Sequence, residues 1–170
     1  MRRRWFGLLP SLLLILCAGR SAAAQAAGTR LQDRNSRDRR IADSTSAADV
    51  VTGYHLALQR GDARVILELL LPDAVILEDG RIETVRQYAS QRLAEQMETA
   101  RSVSGSRGMV SVTVRGDFAW AVTSGTMSGT VRGRAINSSY AESVVLSRTA
   151  RGWRISALHR SSAPRPPAGR

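Results

Sequence analysis

Apolar residues recur at helical spacing in the first half of the chain, after a polar stretch that ends near residue 43. One face of the predicted first helix carries Val50, Val51, Tyr54 and Leu58. Ser46-x-x-Asp49 is a candidate N-terminal cap, because a serine hydroxyl can accept from backbone N–H groups that lack a partner in the first turn. The pattern therefore predicts a helix that begins near Ser46 and buries one stripe of side chains.

Turn residues divide the next segment into shorter elements. Gly61-Asp62 ends the first helix, and residues 63–71 predict a second helix that Pro72 stops. Residues 74–78 predict a short apolar strand, which the turn signal Asp79-Gly80 closes.

The second half of the chain begins with a third predicted helix and continues as strands. Thr84-x-x-Gln87 fits a capping box, and the buried face of this helix would carry Val85, Tyr88, Ala89, Leu93 and Met97. From about residue 101 the helical period is lost, and glycine turns separate four strands over residues 108–115, 118–130, 135–148 and 153–161. Helices followed by an antiparallel meander indicate an α+β domain.

Both ends of the chain are expected to lie outside this domain. Basic residues, an apolar run and then Ala22-Ala23-Ala24 form the pattern of a cleavable signal peptide over residues 1–24. We therefore expect an exported protein, periplasmic or secreted, with no stable membrane anchor after cleavage. Residues 25–43 are predicted to be a polar linker or a frayed helical lead-in, residues 44–162 the domain and residues 163–170 a disordered tail.

Composition narrows the chemistry that the mature domain can carry. The only cysteine, Cys17, would leave with the signal, so no disulfide and no cysteine nucleophile is expected. A lipid-modified Cys17 is the alternative, which Leu16 disfavours because a small residue belongs there. Two histidines without a cysteine do not predict a metal site, since zinc needs at least three converging protein ligands.

Charge is the most unusual feature of the composition. All 25 basic residues are arginine, and the formal charge of +11 would fall to +7 on removal of the signal. Arginine suits an anionic partner, although a GC-rich genome gives the same bias. No arginine–aromatic pattern indicates nucleic-acid binding, and the absence of lysine excludes Schiff-base chemistry.

Two segments resemble a known superfamily. The run from Val50 through Gly61-Asp62 to Glu78, and the ending Gly152-Trp153 to Ser162 with His159, are similar to nuclear transport factor 2, ketosteroid isomerase and the SnoaL-like polyketide cyclases, and most of all to the bacterial DUF4440 group. The resemblance implies a cone-shaped α+β fold in which three N-terminal helices pack on a curved, mostly antiparallel sheet. It also implies a ligand site inside the cone and no cofactor.

The resemblance to ketosteroid isomerase also implies candidate catalytic residues. Tyr54 falls where that enzyme keeps its oxyanion-hole tyrosine, Glu78 where it keeps its carboxylate base, and Glu142 near its second, protonated acid. Each residue has a simpler interpretation. Tyr54 can be a core residue, Glu78 a solvated turn residue, and Glu142 can face either way because a slip of one residue reverses a strand.

Four more residues are expected to line the pocket. Val51 and Leu58 share the inward stripe with Tyr54, and Trp120 matches a tryptophan common in the DUF4440 group. Strict alternation places His159 on the same face as Trp153, as a candidate base or polar anchor, or as a residue that bonds a neighbouring strand. His55 is expected on the flank of the first helix.

Three functions are compatible with this pattern. The first is a non-catalytic domain that binds a small, largely apolar molecule in the cone. The second is an isomerase or dehydratase with Glu78 as base and Tyr54 as oxyanion donor. The third is an interaction module that forms a homodimer through the sheet, which requires Trp120 or its apolar neighbours to be exposed.

Overall fold

The computed structural model describes residues 21–166, which divide into two units between Asp38 and Arg39. In the first unit the chain is the beginning of helix α1 (Ser21–Arg60), with side chains exposed from Gln25 to Asp38. The second unit contains the rest of α1 and the helices α2 (Ala63–Leu69), α3 (Val85–Gln91) and α4 (Leu93–Ser102). The predicted signal peptide lies for the most part outside the described residues. Within residues 21–166, no helix is both long enough and apolar enough to cross a membrane.

The first helix does not begin at the predicted cap. Ser46 lies inside α1, where its hydroxyl donates to the carbonyl of Asp43 at 3.0 Å. The helix can continue upstream because residues 21–43 hold no proline and a single glycine among good helix formers. The predicted stop is correct, since Gly61 has a φ of 73° and the side chain of Asp62 caps α2 by accepting from Val65 N.

The predicted third helix is two helices, so the helical layer has one more element than expected. The capping box of Thr84 and Gln87 is present at the start of α3. The helix is interrupted at Arg92, whose φ is −122°, and α4 starts at the next residue. This break turns the guanidinium of Arg92 inward, where it donates to Glu78.

Seven strands form one sheet in the described part of the chain. They are β1 (Leu70–Glu78), β2 (Arg81–Thr84), β3 (Val103–Ser104), β4 (Ser111–Arg115), β5 (Phe118–Val131), β6 (Arg134–Thr149) and β7 (Gly152–Pro164). The order is β2-β1-β7-β6-β5-β3, and β4 also pairs with β5. Only β1 and β7 run parallel to each other among these pairs. The predicted α+β fold, helices on an unclosed, curved and mostly antiparallel sheet, is confirmed.

The apolar core joins α1 and α3 to the inner face of this sheet. On α1 the buried side chains include Val51, Tyr54 and Leu58, as the helical stripe predicted. The sheet contributes Ile76, Ala119, Ala121, Val144, Leu146, Trp153, Ile155 and Leu158. Burial of these groups is the main term that holds the helices on the sheet.

A bulge in β7 decides which residues of that strand face inward. Val145 pairs with Ala157 and Leu146 with Ile155, so Ser156 is an extra residue on β7. Before the bulge Ile155 is inward, and after it Leu158 and Arg160 are inward. Strict alternation, which places His159 inward, therefore fails at this point, and His159 is exposed on the opposite face.

Candidate functional site

A cavity of about 510 Å³ lies between the inner face of the sheet and the helices of the second unit. Its lining comes from α1, the end of β1, α4, the segment 103–107 and strands β5 to β7. Four arginines and three acids take part: Arg81, Arg92, Arg107, Arg160, Glu78, Asp79 and Glu95. The lining is polar, which corrects the expectation of a largely apolar cone.

The floor of the cavity is a row of charged residues on three neighbouring strands. In the strand register, Glu142 on β6 lies opposite Arg160 on β7, and Arg160 lies opposite Glu78 on β1. Arg160 donates from Nε and Nη2 to Oε2 of Glu142, at 3.2 and 2.9 Å, and its Nη1 lies 4.0 Å from Oε1 of Glu78. Cross-strand neighbours stand about 5 Å apart, so the register alone brings these side chains together.

Glu78 lies at the β1 end of this floor, next to Arg160. Its Oε2 accepts from Nη2 of Arg92 at 2.8 Å and from the amide of Gln96, whereas Oε1 accepts no hydrogen bond from the described residues. Burial raises the pKa of Glu78 above its ordinary value, although the charges of Arg160 and Arg92 act in the opposite direction. Its side chain is 10% exposed, so Glu78 is a buried cavity residue and not a solvated turn residue.

Tyr54 is buried in the core on α1 and does not line the cavity. Its hydroxyl is 2.9 Å from the hydroxyl of Tyr88, which donates to Oε1 of Gln96 at 2.7 Å. Because the proton of Tyr88 goes to Gln96, Tyr54 is the donor of the tyrosine pair. Burial raises the pKa of both phenols, that of Tyr88 to about 12. The chain Tyr54–Tyr88–Gln96–Glu78 thus links the core to the carboxylate by hydrogen bonds.

Glu142 is buried and ionised, which differs from the protonated acid that the resemblance implied. Burial alone would raise its pKa, but the hydrogen bond from His55 and the charge of Arg160 outweigh it, so the pKa lies below its ordinary value. Nε2 of His55 is 2.7 Å from Oε1 of Glu142. Burial lowers the pKa of His55, and the neutral ring then donates from Nε2 to the carboxylate.

The four predicted pocket residues divide into two groups. Leu58 lines the cavity, and Val51 is buried in the core next to it. Trp120 and His159 face the other side of the sheet and do not line the cavity. Trp120 is 43% exposed with the guanidinium of Arg115 5.8 Å from its ring. Their placement follows from the sheet register, because Trp120 pairs with Val145 and His159 with Ser143 on the outer face.

His55 and Arg160 are cavity residues that were not among those predicted from the sequence. For His55 a signal was present: it follows Val51 by four residues and precedes Leu58 by three, which is core-facing spacing. For Arg160 no local signal exists, since its inward position depends on the bulge at Ser156. Arg92 and Gln96 became site residues through the break between α3 and α4.

The sequence match identifies the family. Residues 47–166 match the model of the SnoaL-like domain. This match covers well over half of the chain, which therefore belongs to the SnoaL-like domain family, among the NTF2-like proteins. The narrower likeness to the DUF4440 group stays a prediction. No curated protein matches the sequence.

Solved structures with the same fold agree with this assignment. A candidate ketosteroid isomerase from Shewanella frigidimarina NCIMB 400 is 28% identical, with a TM-score of 0.65, over 68% of this chain and 94% of its own. An NTF2-like protein from Novosphingobium aromaticivorans is 20% identical, with a TM-score of 0.59, over 84% and 90%. A candidate dehydratase of the NTF2-like family from Streptomyces avermitilis is 18% identical, with a TM-score of 0.63, over 73% and 98%. The last two show a shared fold alone.

Proposed function

We propose that this domain binds a small polar molecule in its cavity and that Glu78 contacts it. The observation that supports this most is the free Oε1 of Glu78, an acceptor held in place by two donors on the other oxygen. Such an acceptor suits a ligand hydroxyl or amine. A wholly apolar ligand is a poorer fit, because the charged floor would lose water without gaining partners.

Binding is tested by NMR titration of the mature domain with phenols and anilines, each matched with its unsubstituted ring. We expect shift changes at Glu78, Arg160 and Gln96 for the ring that carries a donor. Glu78→Gln should weaken binding about tenfold, the usual effect of losing one charged hydrogen bond. Asp73→Asn, an exposed carboxylate outside the cavity, is the control. Shift changes that avoid the cavity, or a Glu78→Gln variant that binds normally, contradict the proposal.

Proton transfer by Glu78 is a second candidate function. A buried carboxylate with a raised pKa and a free oxygen can take a proton next to a ligand carbonyl and return it two carbons away. Nη1 of Arg160 lies 4.0 Å from Oε1 of Glu78. In this scheme it would stabilise the negative charge that develops on the carbonyl oxygen of the ligand. Tyr54 is a positioning residue in this scheme, since its proton is held by Tyr88.

An isomerase assay with a β,γ-unsaturated ketone tests this second function. The rate should rise with pH through the raised pKa of Glu78, because only the ionised form is a base. Glu78→Gln should lower kcat by about 10²- to 10⁴-fold, the range for loss of a general base. If the wild type binds the ketone without turnover, the proton-transfer function is rejected and only the binding function stands.

A homodimer is a third proposal, supported by the outer face of the sheet. One cross-strand row there carries Trp120, Val145, Ala157 and Val75, and Phe118 and Val122 flank it on β5. Of these, Phe118, Trp120, Val122, Val145 and Val75 are exposed. A second copy fits such a row, because a two-fold axis places the same apolar patch on both partners.

The mass in solution tests the dimer. Light scattering should give twice the mass of one chain, and Trp120→Glu should give single chains without loss of fold. Met109→Glu, an exposed apolar residue outside the row, is the control. A wild-type protein that stays monomeric at high concentration refutes the proposal.

We also propose that the protein is exported and cleaved after Ala24, on the strength of its basic, apolar and small-residue N-terminal pattern. N-terminal sequencing of the exported form should begin at Gln25. A lipid-modified Cys17 would instead place the protein on a membrane surface.

A further inference from the structure

Arg107 differs from Arg92 and Arg160, the two cavity arginines that form ion pairs. Arg92 and Arg160 form ion pairs with Glu78, Glu83 and Glu142. Arg107 also lines the cavity, but in the described part of the chain no carboxylate lies within ion-pair distance of it. Its Nε donates to the hydroxyl of Tyr140 at 3.4 Å, which leaves the two terminal nitrogens of the guanidinium for another acceptor.

The backbone that carries Arg107 is fixed against the sheet. Ser106 O accepts from Thr126 N at 2.9 Å, and Gly108 N donates to Ser124 O at 2.8 Å. The two chains approach so closely that a Cβ on Gly125 would lie 2.2 Å from Ser106 O. Glycine is required at this contact, and the contact fixes where the side chain of Arg107 starts.

The side chain of Arg107 is also positioned relative to the floor. Tyr140, which accepts from Arg107, carries the guanidinium of Arg160 5.1 Å from its ring centroid. Arg107 is close enough to His55 that its charge, after burial, helps to lower the pKa of that ring. The guanidinium of Arg107 therefore belongs to the same cavity as Oε1 of Glu78.

We infer that the ligand is a small organic carboxylate that also carries a hydroxyl or amine, with its carboxylate on Arg107 and its donor on Oε1 of Glu78. This inference rests on the proposed binding function and names the chemical class of the ligand. A guanidinium matches a carboxylate by two parallel N–H···O bonds. A neutral ligand of the same shape leaves the guanidinium in water and gains only the contact at Glu78.

Matched probes of two lengths test the class. 4-Hydroxybenzoate and 6-hydroxy-2-naphthoate carry both groups, the corresponding carboxamides lack the charge, and benzoate and 2-naphthoate lack the donor. Calorimetric titration at low salt should show at least one hydroxy-carboxylate binding about three- to fivefold tighter than its amide, as an exposed ion pair allows. Added salt should reduce that ratio.

Two variants assign each end of the probe. Arg107→Gln should remove the preference for carboxylate over amide, whereas Arg86→Gln, an exposed arginine of α3 outside the cavity, should preserve it. Glu78→Gln should instead remove the preference for the hydroxylated over the unsubstituted carboxylate. Equal binding of carboxylates and amides, or a preference that survives Arg107→Gln, overturns the inference while leaving binding at Glu78 intact. Failure of every probe to bind overturns the inference, and the separate NMR titration then decides the binding function.

Discussion

Two rows of side chains, one on each face of the sheet, reverse the usual rule of apolar inside and polar outside, which the rest of the inner face obeys. The inner row Glu142, Arg160 and Glu78 is charged and largely buried, whereas the outer row Trp120, Val145, Ala157 and Val75 is apolar and mostly exposed. Both rows cross the same strands β6, β7 and β1. Cross-strand register therefore groups side chains into rows, and polarity does not tell which row is covered.

The buried charges of the inner row are compatible with a stable fold because they have partners of opposite charge. Three buried carboxylates, Glu78, Glu83 and Glu142, face two guanidinium groups, Arg92 and Arg160. One contact is imperfect, since Nη1 of Arg92 and Oε2 of Glu83 lie 3.5 Å apart without a hydrogen bond. Burial raises the pKa of Glu78, and the charges of Asp79 and Glu142 add to this effect, against the charges of Arg160 and Arg92.

The largest expected effect separates Arg160 from its neighbour His159. Arg160→Met leaves Glu142 and Glu78 without their shared cation, so we expect a loss of about 3–5 kcal/mol of unfolding free energy. His159→Ala, one residue away on the exposed face, should change it by less than about 0.5 kcal/mol. Urea unfolding at neutral pH measures both. The opposite order would mean that β7 lacks the bulge and that His159 faces the cavity.

That contrast also shows where sequence reasoning reaches its limit. The turns were predictable, because Gly116, Gly133 and Gly152 take positive φ values that side chains disfavour. The ends of β5 and β6 follow from those turns. A one-residue bulge has no comparable signature in β7, yet it exchanges His159 for Arg160 at the cavity floor. Where a strand begins and ends depends on its local sequence. Which side chains of β7 point inward depends instead on the register of its pairing with β6.

The helices that form the other wall of the cavity were also predictable only in part. The stripe of Val51, Tyr54 and Leu58 predicted the buried face of α1, and a wider stripe would have included His55. The capping box predicted the start of α3. The break at Arg92 was not predictable from spacing, because tertiary contact with Glu78 and Glu83 accounts for its buried position.

A second prediction compares two glycines, one on the inner face and one on α1. Gly125→Ala places a Cβ 2.2 Å from Ser106 O and 2.7 Å from the hydroxyl of Tyr140, so we expect a loss of about 1–3 kcal/mol from overpacking. Gly53→Ala meets only Leu69 at 3.7 Å and should stabilise the helix by about 0.5–1 kcal/mol. Thermal unfolding measures both, and a neutral Gly125→Ala would mean that segment 103–107 is not held against β5.

The pH dependence of stability should separate the two carboxylates of the inner row. Glu78 has a raised pKa in the folded state, so its ionisation lowers stability as pH rises from the unfolded pKa through the folded one. Glu142 has a lowered pKa in the folded state, so its ionised form stabilises the fold at pH values above the ordinary carboxyl pKa. This stabilisation is lost as the pH falls through the pKa of Glu142 in the folded state. Relative to wild type, Glu78→Gln should therefore gain stability as pH rises, and Glu142→Gln should lose it. Unfolding curves from acid to neutral pH test this, and slopes of the same sign would contradict it.

The smallest expected effect concerns the hydroxyl of Tyr54, which acts on the cavity only through Tyr88. Tyr54→Phe removes one buried hydrogen bond and leaves Tyr88 bonded to Gln96, so we expect a loss of about 0.5–1.5 kcal/mol. Tyr88→Phe should cost more, because it leaves both the hydroxyl of Tyr54 and Oε1 of Gln96 without a partner, although the amide nitrogen of Gln96 still donates to Glu78. Ser124→Ala on the exposed outer face should change little and serves as the control. If Tyr54 instead donated directly to a ligand, Tyr54→Phe would weaken ligand binding at Glu78 as strongly as Glu78→Gln while stability stayed unchanged. The distance of 2.9 Å to Tyr88 leads us to expect the reverse, a stability effect with binding nearly intact.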